Sequence, residues 1–338
     1  MVTGVAGFIG SNLLQELLAL GQTVVGVDNF STGHRRNLDD ATVDLEDSGR
    51  FRMVEGDIRD LETCRTACEG ADYVLHHAAL GSVPWSMDDP LRTNSVNVDG
   101  FVNMLVAAKD AGVKRFVYAS SSAVYGDTAD FPQVETGLGR PLSPYAASKS
   151  INETYALAFQ MSYGLQSIGL RYFNVFGRRQ DPAGAYAAVI PRWIATLLRG
   201  EPCRIFGDGE TTRDFCYIAN VVQANVLAAT TAAAGAVGEV YNVAVGGRMS
   251  LNDLARTLRD LIGERHRGLA VPPPVHAEFR TGDVRHSQAA IDKAHRLLGY
   301  APTHDVRTGL REALPWYESH GSVALRAHAQ GEAHAAAR

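Results

Sequence analysis

A chain of 338 residues, 46% hydrophobic and 20% charged, has an ordinary globular composition and room for two domains. Its net charge of −5 argues against a nucleic-acid binder, which carries a basic excess or a basic stripe. No apolar run approaches the roughly 20 residues of a membrane span, and no basic n-region with a cleavage site opens the chain, so we expect a cytoplasmic protein.

The chain begins "MVTGVAGFIGS", in which Gly4, Gly7 and Gly10 form a G-x-x-G-x-x-G turn with only Met1, Val2 and Thr3 in front of it. Such a turn joins a first strand to a first helix. Gly4 permits the bend, Gly7 lets backbone approach a pyrophosphate, and Gly10 allows close helix–strand packing. The amides that open the following helix, from Phe8 and Ile9 on, can then bind phosphate. That helix spans roughly Ile9 to Leu20, and "QTVVGVD", "FRMVEGD", "YVLHHAA", "RFVYASS" and "SIGLRYFNV" follow as strands. Between them "LETCRTACEG", "NVDGFVNMLVAAKDAG" and "AASKSINETYALAFQMSYG" read as helices that end near glycine. Near-continuous apolarity of the strands indicates burial on both faces, so the fold class is α/β: a doubly wound parallel sheet of the Rossmann type. After Asn174 the rhythm becomes loop-rich, with "YIANVVQANVLAAT" and "EVYNVA" returning to the sheet as a helix and a strand. "SLNDLARTLRDLIG" is a further helix with Ser250 as N-cap, and "FRTGDVRHSQAAIDKAHRLLGY" a loop followed by a helix. We therefore expect a cofactor-binding domain over 1–173, with 215–245 returning to it, and a smaller α/β substrate lobe over 174–214 and 246–318. The tail, 319–338, reads as flexible.

The cysteines, Cys64, Cys68, Cys203 and Cys216, suit neither a disulfide framework nor a metal site, since no further pair with ligand spacing accompanies Cys64 and Cys68. Buried thiols and no metal are expected. Asp28 ends the second strand where a carboxylate accepts hydrogen bonds from an adenosine ribose, which favours NAD over NADP. Arg35 and Arg36 nearby weigh the other way, because arginine can hold a 2′-phosphate. Asp57, at the end of the third strand, is placed to contact adenine or to cap the next helix.

The chemistry is carried by "SPYAASKS". Tyr145 and Lys149 are four apart and share a helix face. An ammonium beside a phenol favours phenolate, so Lys149 should lower the Tyr145 pKa and make it a general base. Ser120, Ser121 and Ser122 end a strand in "ASSSAVYG", at the sheet edge where ligands bind in such folds.

These stretches, with "HHAALGSVPWSMDDP", "GLRYFNVFGRRQDPAGAYAAVIPRW", "GDGETTRDFCYI" and "FRTGDVRHSQ", give the chain its resemblance to a known group. From Val2 to about Tyr317 it resembles the extended short-chain dehydrogenase/reductase enzymes that act on nucleotide sugars. Within them it looks most like the UDP-N-acetylglucosamine (UDP-N-acetylgalactosamine) 4-epimerases.

The resemblance implies bound NAD and a UDP-sugar substrate. Tyr145 would take the proton from the sugar 4-hydroxyl, Lys149 would hold the nicotinamide ribose, and Ser121, with Ser122 as competitor, would bond the same hydroxyl. Gly4, Gly7, Phe8, Ile9, Gly10, Asp28, Asn29, Asp57, Ile58, Ala78, Ala79, Asn97, Ser120 and Tyr172 would line the dinucleotide site. Asn174 would contact the substrate phosphates, Ala188, Val189, Arg204 and Phe206 the uridine, Arg213 and Arg280 the diphosphate, and Asp283 a ribose. Ser82 belongs to the loop typical of the subgroup.

Ser122 and Ala123 stand where related dehydratases carry an Asp-Glu pair, so dehydration is not expected. Ser287 stands where a tyrosine would exclude an N-acetyl group, which favours N-acetylhexosamine substrates. UDP-glucose or UDP-glucuronate 4-epimerisation is the alternative, and a non-catalytic nucleotide-sugar-binding protein is the competing class. The resemblance further implies a homodimer built on the helices at "NVDGFVNMLVAAKDAG" and "SINETYALAFQMSYG". It also implies a longer apolar run before Gly4, so we expect the natural protein to begin upstream of Met1.

Overall fold

The computed structural model describes residues 1–43, 49–183, 187–279 and 284–320. Its first half alternates strand and helix: β1 (Val2–Thr3), α1 (Phe8–Ala19), β2 (Val24–Asp28), α2 (Arg35–Thr42), β3 (Phe51–Glu55), α3 (Leu61–Cys68) and β4 (Tyr73–His76). Two short helices, α4 (Val83–Asp88) and α5 (Pro90–Asn94), lead through a π turn at Ser95–Asp99 into α6 (Gly100–Asp110). Then come β5 (Arg115–Ser121), α7 (Pro144–Tyr163), β6 (Ser167–Tyr172) and β7 (Val175–Phe176). The remainder holds α8 (Val189–Leu198), β8 (Arg204–Phe206), β9 (Thr212–Arg213), β10 (Cys216–Tyr217), α9 (Ile218–Thr230) and β11 (Val240–Val243). It ends with β12 (Met249–Ser250), α10 (Leu251–Arg265), β13 (Val275–Ala277), α11 (Asp292–Leu298) and a last helical segment at 306–320.

Among the described residues the main sheet has seven strands in the order β11-β6-β5-β4-β1-β2-β3, with every pairing parallel. The order reverses between β1 and β4, which is the switch point where doubly wound sheets bind ligands at the carboxyl ends of their strands. The central strands are buried on both faces, β6 along its whole length, as the apolar runs predict. The opening tripeptide does supply a first strand, though a short one. Val2 and Thr3 pair with Gly26 and Val27 on one side and with Leu75 and His76 on the other.

Several local details differ from the sequence reading. "SIGLRYFNV" is two strands, because Asn174 adopts a positive φ of 33° and turns the chain between β6 and β7. The segment near the prolines forms β13, which pairs with β8 in the second lobe. Asp57 does not cap α3. Asp60 does, accepting from the N–H groups of Glu62 and Thr63. Ser250 caps α10 as expected, its hydroxyl accepting from the Asp253 N–H at 3.0 Å. All four cysteines are buried, and burial pushes the Cys64, Cys203 and Cys216 thiols up to about 12. Among the described residues no helix is long and apolar enough to cross a membrane. The expected flexible tail beyond 320, like Arg280 and Asp283, lies outside the described residues.

Candidate active site

A cavity of about 460 Å³ opens at the switch point, over the carboxyl ends of the central strands. Its floor is the glycine turn. Gly4 has φ +65°, and a Cβ there would stand 2.8 Å from the backbone nitrogen of Ala78. A Cβ at Gly10 would overlap the carbonyl oxygen of Gly4. The turn is thus closed by backbone-to-backbone contact that only glycine allows. Gly4, Gly7, Phe8, Ile9 and Gly10 all line the cavity.

The β2 end supplies a carboxylate. Asp28 is buried, with one oxygen accepting the Ala6 N–H at 2.9 Å and the other the Phe30 N–H at 2.8 Å. Burial raises its pKa, and these bonds oppose the rise. Asp57 lines the same end, beside Ile58 and Asn29. The Arg59 guanidinium and the Asn29 amide at 2.8 Å bond its carboxylate, and the Arg59 bond is the main reason its pKa falls to about 2. Arg35 is committed elsewhere: it pairs with Glu55 at 2.5 Å and stacks over the Phe30 ring.

The other end is built by α7. Ser143 caps this helix by accepting the Ala146 N–H at 3.1 Å, and Pro144 takes the first helical position. That puts Tyr145 in the first turn and Lys149 one turn on, and both line the cavity. The Tyr145 backbone is held from outside α7 as well, its N–H donating to the Ser86 hydroxyl at 3.0 Å. Lys149 Nζ donates to the Ala119 carbonyl at 2.9 Å, and burial lowers its pKa to about 8.

The expectation for the Tyr145 pKa is corrected. Its ring is only half-buried, but loss of water around the hydroxyl raises the phenol, and the hydrogen bond with Ser121 is what pulls it down. Ser121 lines the cavity, while Ser122 begins a short 3-10 turn outside its lining.

Ala78, Ala79, Ser120 and Tyr172 also line the cavity. The Ser120 hydroxyl, however, is turned to Glu153 at 2.5 Å. Asn97 is buried outside the lining, with its amide bonded to Leu80 and Ser148, and its neighbour Val96 lines the cavity. Sequence reasoning did not single out Thr3, His77 or Gln180. Thr3 Oγ1 accepts the N–H groups of His77 and Ala78, each at 3.0 Å, and so sets the loop that carries Ala78. His77 bonds the Tyr172 hydroxyl at 2.9 Å, and the buried Gln180 Oε1, in a side chain that lines the cavity, has no partner among the described residues. "HHAA" and "GRRQ" were the available signals for the last two.

The expected substrate residues are not part of this lining. Ser82 caps α4. Ala188 and Val189 open α8, Arg204 and Phe206 lie on β8, and Arg213 lies on β9. Asn174 donates to the Asp214 carbonyl at 3.2 Å. The structure brings Ser287 next to β9, its N–H donating to the Thr212 carbonyl at 3.2 Å.

A dinucleotide fits the cavity on three observations: a glycine cradle that a Cβ would fill, a buried carboxylate at one end, and a buried ammonium beside a phenol at the other. Comparison with known proteins agrees. The description "NAD dependent epimerase/dehydratase family" matches residues 1–244. The UDP-glucose 4-epimerase of Mycolicibacterium smegmatis is 36% identical, covering 94% of this chain and 98% of its own. Among solved structures, the UDP-N-acetylglucosamine 4-epimerase of Methanobrevibacter ruminantium superposes with a TM-score of 0.86 at 37% identity, covering 94% of this chain and 97% of that one. The UDP-glucuronic acid 4-epimerase of Bacillus cereus, solved with UDP-glucuronic acid and NAD, superposes with a TM-score of 0.83 at 30% identity, covering 94% and 98%. Other curated relatives are named UDP-glucose or UDP-glucuronate 4-epimerase. With the glycine cradle and the Tyr145–Lys149 helix in place, the chain belongs to the NAD-dependent epimerase/dehydratase family, whose cofactor is NAD.

Proposed function

We propose that the protein inverts the C4 configuration of a UDP-hexose, with UDP-glucose or UDP-glucuronate as substrate. The observation that carries this reading is that Tyr145, Lys149 one helical turn on, and Ser121 line the same cavity as the glycine turn and Asp28. Relatives named for UDP-glucose and UDP-glucuronate along nearly the whole chain support the choice of sugar.

NAD, when bound, would accept a hydride from C4 and return it. The chain does the rest. Gly4, Gly7 and Gly10 keep the pyrophosphate path clear, and Asp28 offers lone pairs to a ribose. Lys149 would hold the second ribose and stabilise charge on Tyr145. Tyr145, as phenolate, would take the proton of the 4-hydroxyl and give it back after the ketone has turned, with Ser121 bonding the same oxygen. Asn174, Arg204, Arg213 and Ser287 lie on the substrate lobe and would anchor the nucleotide while the sugar reorients.

One observation favours N-acetylhexosamine as a second reading: Ser287 is small and, among the described residues, its hydroxyl meets only Gln133 Oε1, at 3.5 Å. Incubation with UDP-glucose, UDP-glucuronate and UDP-N-acetylglucosamine separately, with the products resolved by chromatography, decides between them. Turnover of the third alone would establish the second reading, and turnover of none would remove the activity altogether. The exposed Ile151, Tyr155, Leu157, Met161 and Tyr163 on α7 suit a second copy of this chain. Gel filtration at the dimer mass is the expected result.

A further inference from the structure

Successive residues of β5 bind successive turns of α7. The Ala119 carbonyl accepts from Lys149 Nζ, the Ser120 hydroxyl donates to Glu153 Oε1, and the Ser121 hydroxyl bonds Tyr145. Tyr145, Lys149 and Glu153 are spaced by four and so occupy one face of the helix. Glu153 is gripped from the other side by Arg171, with Nε donating to Oε1 at 2.9 Å and Nη2 to Oε2 at 2.8 Å. The pair is buried, the side chains retaining 2% and 12% exposure.

The sheet register explains how this happens. Ser120, Arg171 and Asn242 lie side by side across β5, β6 and β11. Arg171 spends its last nitrogen on the Tyr125 hydroxyl at 3.1 Å and the Glu135 carbonyl at 2.8 Å. A buried ion pair is weak evidence for stability, because apolar side chains of similar volume often serve as well. Its place one helical turn beyond Lys149 is what requires an explanation.

We propose that Glu153, held by Arg171, is a positioning residue that acts through Lys149: its carboxylate is the buried counter-charge of that ammonium and fixes the helix face shared with Tyr145 against β5. This rests on the reading of Tyr145 as the proton acceptor. The other titratable groups around Lys149 are His76 at the end of β4 and His77 just after it, both kept neutral by burial, Tyr145 on α7, Tyr118 on β5 and Arg171 on β6. Glu153 is the acid among them, and it holds the Lys149 pKa up against burial.

The test is an ultraviolet titration of tyrosinate in the NAD-loaded protein, with the Tyr145 step isolated as the difference from a Tyr145→Phe background. Removing a buried anion favours a neighbouring phenolate, so Glu153→Gln should move that step to lower pH by roughly one unit. Glu153→Asp, which keeps the charge, should restore it. If Glu153→Gln does not fold, Glu153→Gln with Arg171→Met leaves no unpaired cation; because Glu153, and not Arg171, is the charge felt at Lys149, the step should still move to lower pH, by less than about one unit. A step unmoved in the folded variant, with only the melting temperature lowered, overturns the proposal. The readout needs no turnover. A shifted step in a protein that epimerises no UDP-sugar would uphold the positioning role and reject the activity.

Discussion

The carboxylate of Asp28 receives the N–H of Ala6 at 2.9 Å, which fastens the end of β2 to the middle of the glycine turn. The residue proposed to meet a ribose therefore also shapes the glycine turn, and under that proposal binding and local folding are coupled through one side chain.

Replacing Asp28 by Ala should weaken both. Hydrogen bonds to a charged group contribute about 1.5–3 kcal/mol each, so a melting-temperature drop and a large loss of NAD affinity are expected together. Asp28→Asn can still accept the Ala6 N–H and should recover more of the stability than of the affinity. Calorimetric NAD titration beside thermal unfolding measures the two effects.

Tyr145→Phe removes a hydroxyl whose bond is to Ser121 and leaves the ring in place. Turnover should fall by a factor of roughly 10² to 10⁴, the usual weight of a general base, with nucleotide-sugar affinity nearly unchanged. Ser121→Ala should cost less. A Tyr145→Phe enzyme that keeps its rate would show that another group moves the proton.

Two glycine substitutions should act in opposite directions. Gly10→Ala drives a methyl into the Gly4 carbonyl, and the strain should destabilise the protein by about 1–3 kcal/mol and open the turn. Gly263, inside α10, has nothing within 4 Å of an added Cβ. Gly263→Ala should stabilise by roughly 0.8–1 kcal/mol through helix propensity alone. Chemical denaturation of the two variants gives both signs.

Lys149 supplies a pH dependence. Its folded pKa, about 8, lies below the ordinary value of 10.5 because burial disfavours the ammonium. Between these values the unfolded chain holds a proton that the folded one has lost, so stability contributed by this group rises as pH climbs from about 8 to 10.5. The full swing is on the order of 3 kcal/mol. It should appear as the difference between the wild type and Lys149→Met in denaturation measured across that window. Activity that needs the ammonium should fall earlier, as pH rises through about 8.

Much of the cofactor site was legible because it is local. The glycine turn, the strand-end Asp28 and the Tyr145–Lys149 spacing each depend on a few adjacent residues, although the start of α7, capped by Ser143, was read two residues late. The errors came where local signals compete. Asp57 and Asp60 both suit an N-cap, and only the path of the chain after β3 decides that Asp60 serves. Asn97 sits in a helical pattern that gives no hint of its amide closing onto Leu80 and Ser148. The Tyr145–Lys149 spacing predicts that the ammonium lowers the phenol, but loss of water around the hydroxyl raises it, and burial is not a property of spacing.

The sequence by itself determined the alternation of strand and helix, the glycine cradle and the helix face shared by Tyr145, Lys149 and Glu153. These follow from the period of the backbone and from residues in contact along the chain. Tertiary structure alone decided the strand order that opens the cavity between β1 and β4. It alone set Ser120 beside Arg171 and Asn242, and turned Glu153 into the buried neighbour of Lys149. Those relations join residues far apart in the chain, and they exist only once parallel pairing has set the register.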